Sequence, residues 1–241
     1  MATPSSELFR RTVRKVRLLL GTAAAFAVAL LPAGPAVAAG SDAVLSTGAA
    51  NPAGTNAAVG DTLAGGLLNG VNLTFSFTVG NVNVVITCGT LNLGATVSKN
   101  PAAPGNATGV INTLTFGTCT VVGQPNGTVT GVTLKPMTTA AVSVSDGTPP
   151  EMTVTGWSEL FSMKTSLGMV PCVFGSTAAL PNLVGVITNP GAAGNNGTVR
   201  FANQQVGLIQ GGLACGAAKS FGTLNMTIGQ ITDNGASVYV N

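Results

Sequence analysis

The sequence contains no histidine, one tryptophan, one tyrosine, and only ten basic and seven acidic side chains in 241 residues. Without histidine the commonest general base is missing, and with it the Ser-His-Asp and Cys-His schemes for nucleophilic catalysis. The four cysteines, Cys88, Cys119, Cys172 and Cys215, include no C-x2-C pair, so a structural zinc site is not expected. No D-x-D-x-D-G loop is present for calcium,. We expect no metal and no cofactor. The scarcity of charge is also uneven. Arg10, Arg11, Arg14, Lys15 and Arg17 lie at the start, which leaves Lys99, Lys135, Lys164, Arg200 and Lys219 against Asp42, Asp61, Asp146, Glu151, Glu159 and Asp233. Five scattered cations cannot form the basic stripe that neutralises several phosphates, nor a polybasic membrane patch. Nucleic acid is excluded as a partner.

Long apolar runs are absent except for one. Leu18–Leu31 is uncharged, follows the basic cluster, and gives way to Pro32, Pro35 and the small residues Ala36-Val37-Ala38. It is too short to span a bilayer and has the layout of a cleaved export signal. The expected organisation is therefore a signal peptide over 1–38, a Gly/Ala-rich arm over 39–70, and a β domain over 71–241. No integral membrane segment is expected in the mature chain. Arg10-Arg11 with Val13 and Lys15 resembles a twin-arginine signal, but Phe9 and Val13 depart from its pattern. The general secretory route is favoured, because disulfides form outside a reducing cytosol. An exported chain with an even number of cysteines points to two disulfides. Sequential pairing, Cys88 with Cys119 and Cys172 with Cys215, is expected, since each bond then closes a unit of two or three strands.

What the chain has in abundance is glycine, threonine, asparagine and β-branched residues. In 71–79 the residues Val71, Leu73, Phe75, Phe77 and Val79 alternate with Asn72, Thr74, Ser76 and Thr78. Period two over nine residues is a half-buried strand. Gly80-Asn81 turns it into a second strand over 82–88, with Cys88 on the interior face. Further strands are expected over 91–98, 110–121, 128–135, 140–145, 152–160, 169–174, 183–188, 198–203 and 206–213. Residues 224–231 and 236–240 should form a last hairpin about Asp233-Asn234-Gly235. In the arm, one strand near 43–46 is expected. No window shows a capped 3.6-residue period. The fold class is all-β: an antiparallel sandwich or barrel-like domain of Ig-like or Greek-key style, stapled by two disulfides. GTLNL at 89–93 and GTLNM at 222–226 echo each other faintly, and no fixed repeat period supports a solenoid.

Carboxylates are the remaining catalytic option. Glu151 and Glu159 flank Trp157, and on one extended strand they would stand roughly 26 Å apart at about 3.3 Å per residue. A glycosidase pair needs roughly 5–9.5 Å. Asp146 and Asp233 sit in turn sequences, where aspartate satisfies local N–H groups. The acids are read as solvated charges or turn formers, and no catalytic residue is assigned. Trp157 reads first as a large core residue and second as a ligand-stacking platform. Trp157 and Phe161 are the candidate ligand-binding residues. Sequons at Asn72, Asn106, Asn126, Asn196 and Asn225 are weak signals in a chain this rich in Asn and Thr,.

The Ala-rich signal, the spacing of FGTCT, Trp157, CVF at 172–174 and AC at 214–215, and the terminal ASVYV resemble uncharacterised small secreted all-β proteins of actinobacteria. More distantly, the two-disulfide, Thr/Gly/Val-rich character looks like neocarzinostatin-type apoproteins, Ig-like sandwiches that hold an apolar chromophore in a cleft. The charge-poor style is also similar to that of chaplins, small surface-active coat proteins. Three readings follow. The first is a secreted, non-enzymatic extracellular or cell-surface β domain, with a cell-wall or matrix component or self-association as its partner. The second is a carrier of a small apolar ligand, which requires a pocket of roughly 300 Å3 or more between the sheets, lined by residues such as Met137, Phe161 and Met163. The third is a carboxylate-dependent hydrolase, which requires the acids to converge.

Overall fold

The computed structural model describes residues 42–79, 81–123, 131–136, 140–165, 168–191, 197–211, 215 and 221–241, with the backbone alone over 131–136, 163–165 and 168. The expected signal peptide lies outside the described residues, as does Met137. No α-helix occurs among the described residues. The strands are β1 Leu45–Thr47, β2 Thr55–Asn56, β3 Thr62–Gly66, β4 Leu73–Val79, β5 Val82–Lys99, β6 Asn106–Val122, β7 Gly131–Pro136 and β8 Ala140–Ser145. They continue with β9 Glu151–Thr155, β10 Ser158–Thr165, β11 Gly168–Gly175, β12 Asn182–Thr188, β13 Thr198–Gln210, β14 Phe221–Ile228, β15 Thr232–Asp233 and β16 Ala236–Val240.

Hydrogen-bonded neighbours close a circuit. Following the ladders, β4 pairs β5, then β6, β8, β9, β12, β13 and β14, and β14 returns to β4. Every step is antiparallel, so the strands close a barrel. Closure pairs the strand edges that an open sheet would expose. Two sets of outer strands extend from the ring. β11, β10 and β7 continue outward from β13, and β3, β15, β16, β1 and β2 continue from β5. The Gly/Ala-rich arm thus carries three short strands. β1 pairs with β16, and β3 lies between β5 and β15.

Several strands are longer than the sequence suggests, for one reason. On β5 the buried residues are Val84, Ile86 and Cys88, then Leu91, Leu93, Ala95 and Val97. Even positions face inward up to Cys88 and odd positions after it. Gly89, opposite Thr118 between the Cys88–Cys119 and Thr90–Gly117 rungs, marks the change. Thr118 has a positive φ of 49°, and a side chain at 89 would crowd the Thr118 hydroxyl. A one-residue phase change moves every later side chain to the opposite face, so one strand reads as two short ones. β13 does the same at a bulge between Phe201 and Gln204, where Asn203 has φ of 51°,. The reverse holds for residues 152–160, expected as one strand. Gly156, with φ of 67°, divides them into β9 and β10.

The expected C-terminal hairpin needs correction too. The Asn234-Gly235 turn is present, with positive φ at both residues, but its first arm is the short β15. Leu224 belongs to β14, which pairs with β13 and β4.

The core is aliphatic with an aromatic centre. Phe75 stacks on Phe161 at 4.7 Å between ring centroids and meets Phe174 edge-on at 4.9 Å. Polar closure comes from asparagine rather than charge. The Asn189 amide bonds both the N–H and the C=O of Val240, at 2.8 and 2.6 Å, and Asn100 does the same for Leu45 at 2.8 Å each. Each amide pairs with the backbone N–H and C=O as a strand neighbour would, with no charge involved,. Both expected disulfides form, Cys88–Cys119 between facing residues of β5 and β6, and Cys172–Cys215 from β11 to the segment after β13. Loop closure across such spans contributes about 4 kcal/mol per bond.

Packing at Gly222 makes a test. A methyl there would overlap the buried Phe75 ring. G222A should lose about 1–3 kcal/mol in urea unfolding, as overpacked cores do. G147A, whose new methyl would only reach ordinary contact with the Pro149 carbonyl at 3.4 Å, should stay within about 0.5 kcal/mol of the parent.

Candidate functional site: the cavity behind strand β10

At Gly156 the chain leaves β9 in a left-handed turn and re-enters the sheet at Ser158. The Trp157 carbonyl accepts the Ser176 N–H at 2.9 Å, which fixes the entry to the β10–β11 ladder. From there odd positions face inward: Glu159 and Phe161 are buried, while Leu160 and Ser162 are only half-buried. On the neighbouring strands Glu159 stands opposite Phe174 of β11 and Pro136 of β7. Only 1 % of Glu159 is exposed. Neither carboxylate oxygen has a hydrogen-bond partner among the described residues. Burial in these surroundings pushes the carboxyl up to about 8, because low dielectric disfavours the charged form.

Glu159 borders a cavity inside the fold through its apolar atoms, while its carboxylate oxygens are sealed. The cavity lining is drawn from β4, β5, β6, β8, β9, β10, β12, β13 and β14, and includes Leu93, Phe116, Met152, Trp157, Phe161 and Met226 beside Glu159. The cavity measures about 60 Å3, within a wider space of about 700 Å3 between these side chains that is partly open to solvent. Among the described lining residues Glu159 is the sole ionisable one. A second cavity of about 50 Å3, bordered by Leu63, Val97, Val144 and Ile231, has no titratable side chain in its lining.

The two candidate residues, Trp157 and Phe161, both line the first cavity. Trp157 is half-buried rather than sealed in the core. Met163 lies where only the backbone is described. Glu159 corrects the sequence reading, since it is buried and not a solvated charge. The signal that could have found it is the run Trp157, Glu159, Phe161, which places an acid between two aromatics at period two. The other acids do not join it. The Asp146 carboxylate accepts the N–H of Gly105, 41 residues away in another loop, at 2.9 Å, a long-range bond rather than the local turn bond expected, and Glu151 is exposed at the start of β9. Asp233 lies in the β15–β16 hairpin near Asp61. Burial, then the Asp61 charge and a hydrogen bond with Asp61, hold its carboxyl above the usual range. No group of three potential metal ligands occurs among the described residues. No protein-family model, curated protein or solved structure matches this chain.

The burial of Glu159 fixes a pH dependence. Its folded-state value lies above the unfolded one, so the native state keeps a proton that the unfolded chain releases. Stability should therefore fall as pH rises from about 5 to about 8, by ~1.4 kcal/mol per pH unit, and then level off. Asp233 shifts in the same sense, so the contribution of Glu159 is read by subtraction. Urea midpoints at pH 5, 6, 7 and 8 should decline in the parent and lose most of that slope in E159Q.

Proposed function

We propose that this chain is a secreted, non-enzymatic binding domain whose barrel carries a small, largely apolar ligand in its interior. The observation that carries this reading is the apolar cavity behind β10, bordered by Trp157, Phe161 and one buried polar group. Binding sites for small molecules are concave and apolar in lining, and this cavity has both properties. Two disulfides without a free cysteine suit an extracellular protein,. They also hold the strands around a partly filled interior, where a looser sheet would collapse. A carboxylate pair of the kind a hydrolase needs is not found in the lining, since Glu159 is its sole ionisable residue among those described.

Trp157 is the only tryptophan, so its emission reports on this cavity alone. Titration with 1-octanol, as an apolar probe with a small polar head, should give a saturable change in Trp157 fluorescence. A140L places extra carbon atoms in the cavity from β8, where Ala140 lines it, and should weaken binding at least roughly tenfold if the site is filled. A folded protein that shows no saturable response, or an A140L variant that binds as the parent does, would remove this reading.

A further inference from the structure

The interior of the barrel holds two small cavities rather than one large one. The cavity behind β10 measures about 60 Å3 and the second about 50 Å3. Neither approaches the roughly 300 Å3 of a pocket for a drug-sized molecule, so a bulky ring system fits neither. The two are nevertheless neighbours. Leu93 of β5, Ile111 of β6 and Met152 of β9 line both, so these three side chains stand between one space and the other.

The three differ in how freely they can move. Leu93 and Ile111 are buried, and Ile111 is β-branched and stiff at its first side-chain torsion. Met152 is half-buried, unbranched, and turns about three bonds, so it re-packs into irregular gaps at small cost. Rotation of Met152 joins the two spaces end to end. The joined space is apolar throughout. Trp157 and Phe161 border its first part, and no aromatic ring and no titratable side chain lines the second.

From this we infer that the ligand is a straight, unbranched aliphatic chain that threads both cavities, with Met152 as the side chain that yields to it. The inference rests on the proposed carrier function and names the chemical class it serves. An extended run of methylenes is narrow enough for spaces of this size. Each methylene moved from water into apolar surroundings raises affinity about fourfold. A cyclic molecule of the same carbon count cannot pass the partition and presses on the walls of one cavity, which close-packed interiors accommodate poorly. No charge is required of the ligand inside, because Glu159 keeps its carboxylate oxygens sealed from the space. A polar end is left to the part of the wider space that opens to solvent.

Two substitutions distinguish threading from binding in a single cavity. Ala95 of β5 lines the second cavity and not the first, while Trp157 borders the first and not the second. Trp157 emission therefore reads binding at one end, and a change at Ala95 acts at the other. The probes are 1-butanol, 1-hexanol, 1-octanol and cyclohexanol, titrated into the full-length protein. In the parent, affinity should rise about fourfold per methylene from butanol to octanol. 1-Hexanol should bind at least roughly tenfold more tightly than cyclohexanol, the equivalent of about two methylenes left unburied. A95L places extra carbon atoms in the second cavity and should weaken octanol at least roughly tenfold while leaving butanol unchanged. M152I sets a stiff side chain at the partition and should end the series early in the same way. Circular dichroism verifies that both variants fold, and the comparison of 1-hexanol with cyclohexanol stands on the parent alone.

Octanol binding that A95L leaves as in the parent, a series that M152I does not shorten, or equal affinity for 1-hexanol and cyclohexanol would overturn the inference. In each of these cases saturable binding of the probes leaves the carrier reading intact. Absence of a saturable response to all four probes would overturn the two together.

Discussion

Closure of the antiparallel ring is the constraint on which the rest depends. A sheet this long would present rows of unpaired N–H and C=O groups if it ended openly, and proteins commonly blunt such edges with charge. This chain has little charge to use. It closes β4 through β14 on themselves instead, so the edges of the ring satisfy one another. The path that leaves the ring ends in the two-residue strand β2 on one side and in β7 on the other. Asparagine amides complete the argument at the seams, where Asn100 and Asn189 pair with backbone as a neighbouring strand would. Low charge and high asparagine content are thus two aspects of one solution.

A ring this regular in its pairing is irregular in its phase. Period-two alternation made β4 and β8 readable from the sequence, because each keeps one face inward along its whole length. β5 and β13 keep the ladder but exchange faces part-way, at Gly89 and near Asn203. Alternation reports which side a residue faces, and it carries no information on whether the backbone continues through a change of side. That is why each of these strands read as two. Cysteine pairing was legible for the converse reason: Cys88 and Cys119 stand on strands that are adjacent in sequence, and adjacent strands pair most often,. The closed circuit itself was not legible, since β4–β14 and β9–β12 join segments far apart in the chain.

The same limit hid Glu159. Read as one strand, residues 152–160 put Met152 and Val154 inward at even positions and leave Glu159 facing solvent. The turn at Gly156 shifts the phase by one residue, and odd positions face inward beyond it. A single glycine with positive φ therefore converts an unremarkable surface acid into the one ionisable group in the described lining of the cavity. Local sequence rules and the global fold disagree at this residue more sharply than at any other described acid. Such disagreements concentrate where a protein binds or reacts, because a stability cost is otherwise lost to selection.

The framework around Glu159 is what makes that disagreement tolerable. Two rungs along the β10–β11 ladder, Phe161 stands opposite Cys172, which is tied to Cys215. Phe174, opposite Glu159 itself, packs against Phe75, Phe77 and Phe161. The strand that bears the acid is therefore paired with a strand that is itself held by a disulfide and by an aromatic cluster. A mobile strand would swing the carboxyl toward water, and the unfavourable burial would relax. Held rigidly, the carboxyl stays buried, and the cavity beside it keeps its shape, so a ligand seated there would cost little further ordering of the chain. In the proposed carrier, the disulfide of β11 thus supports the strand beside the cavity wall without lining the cavity itself.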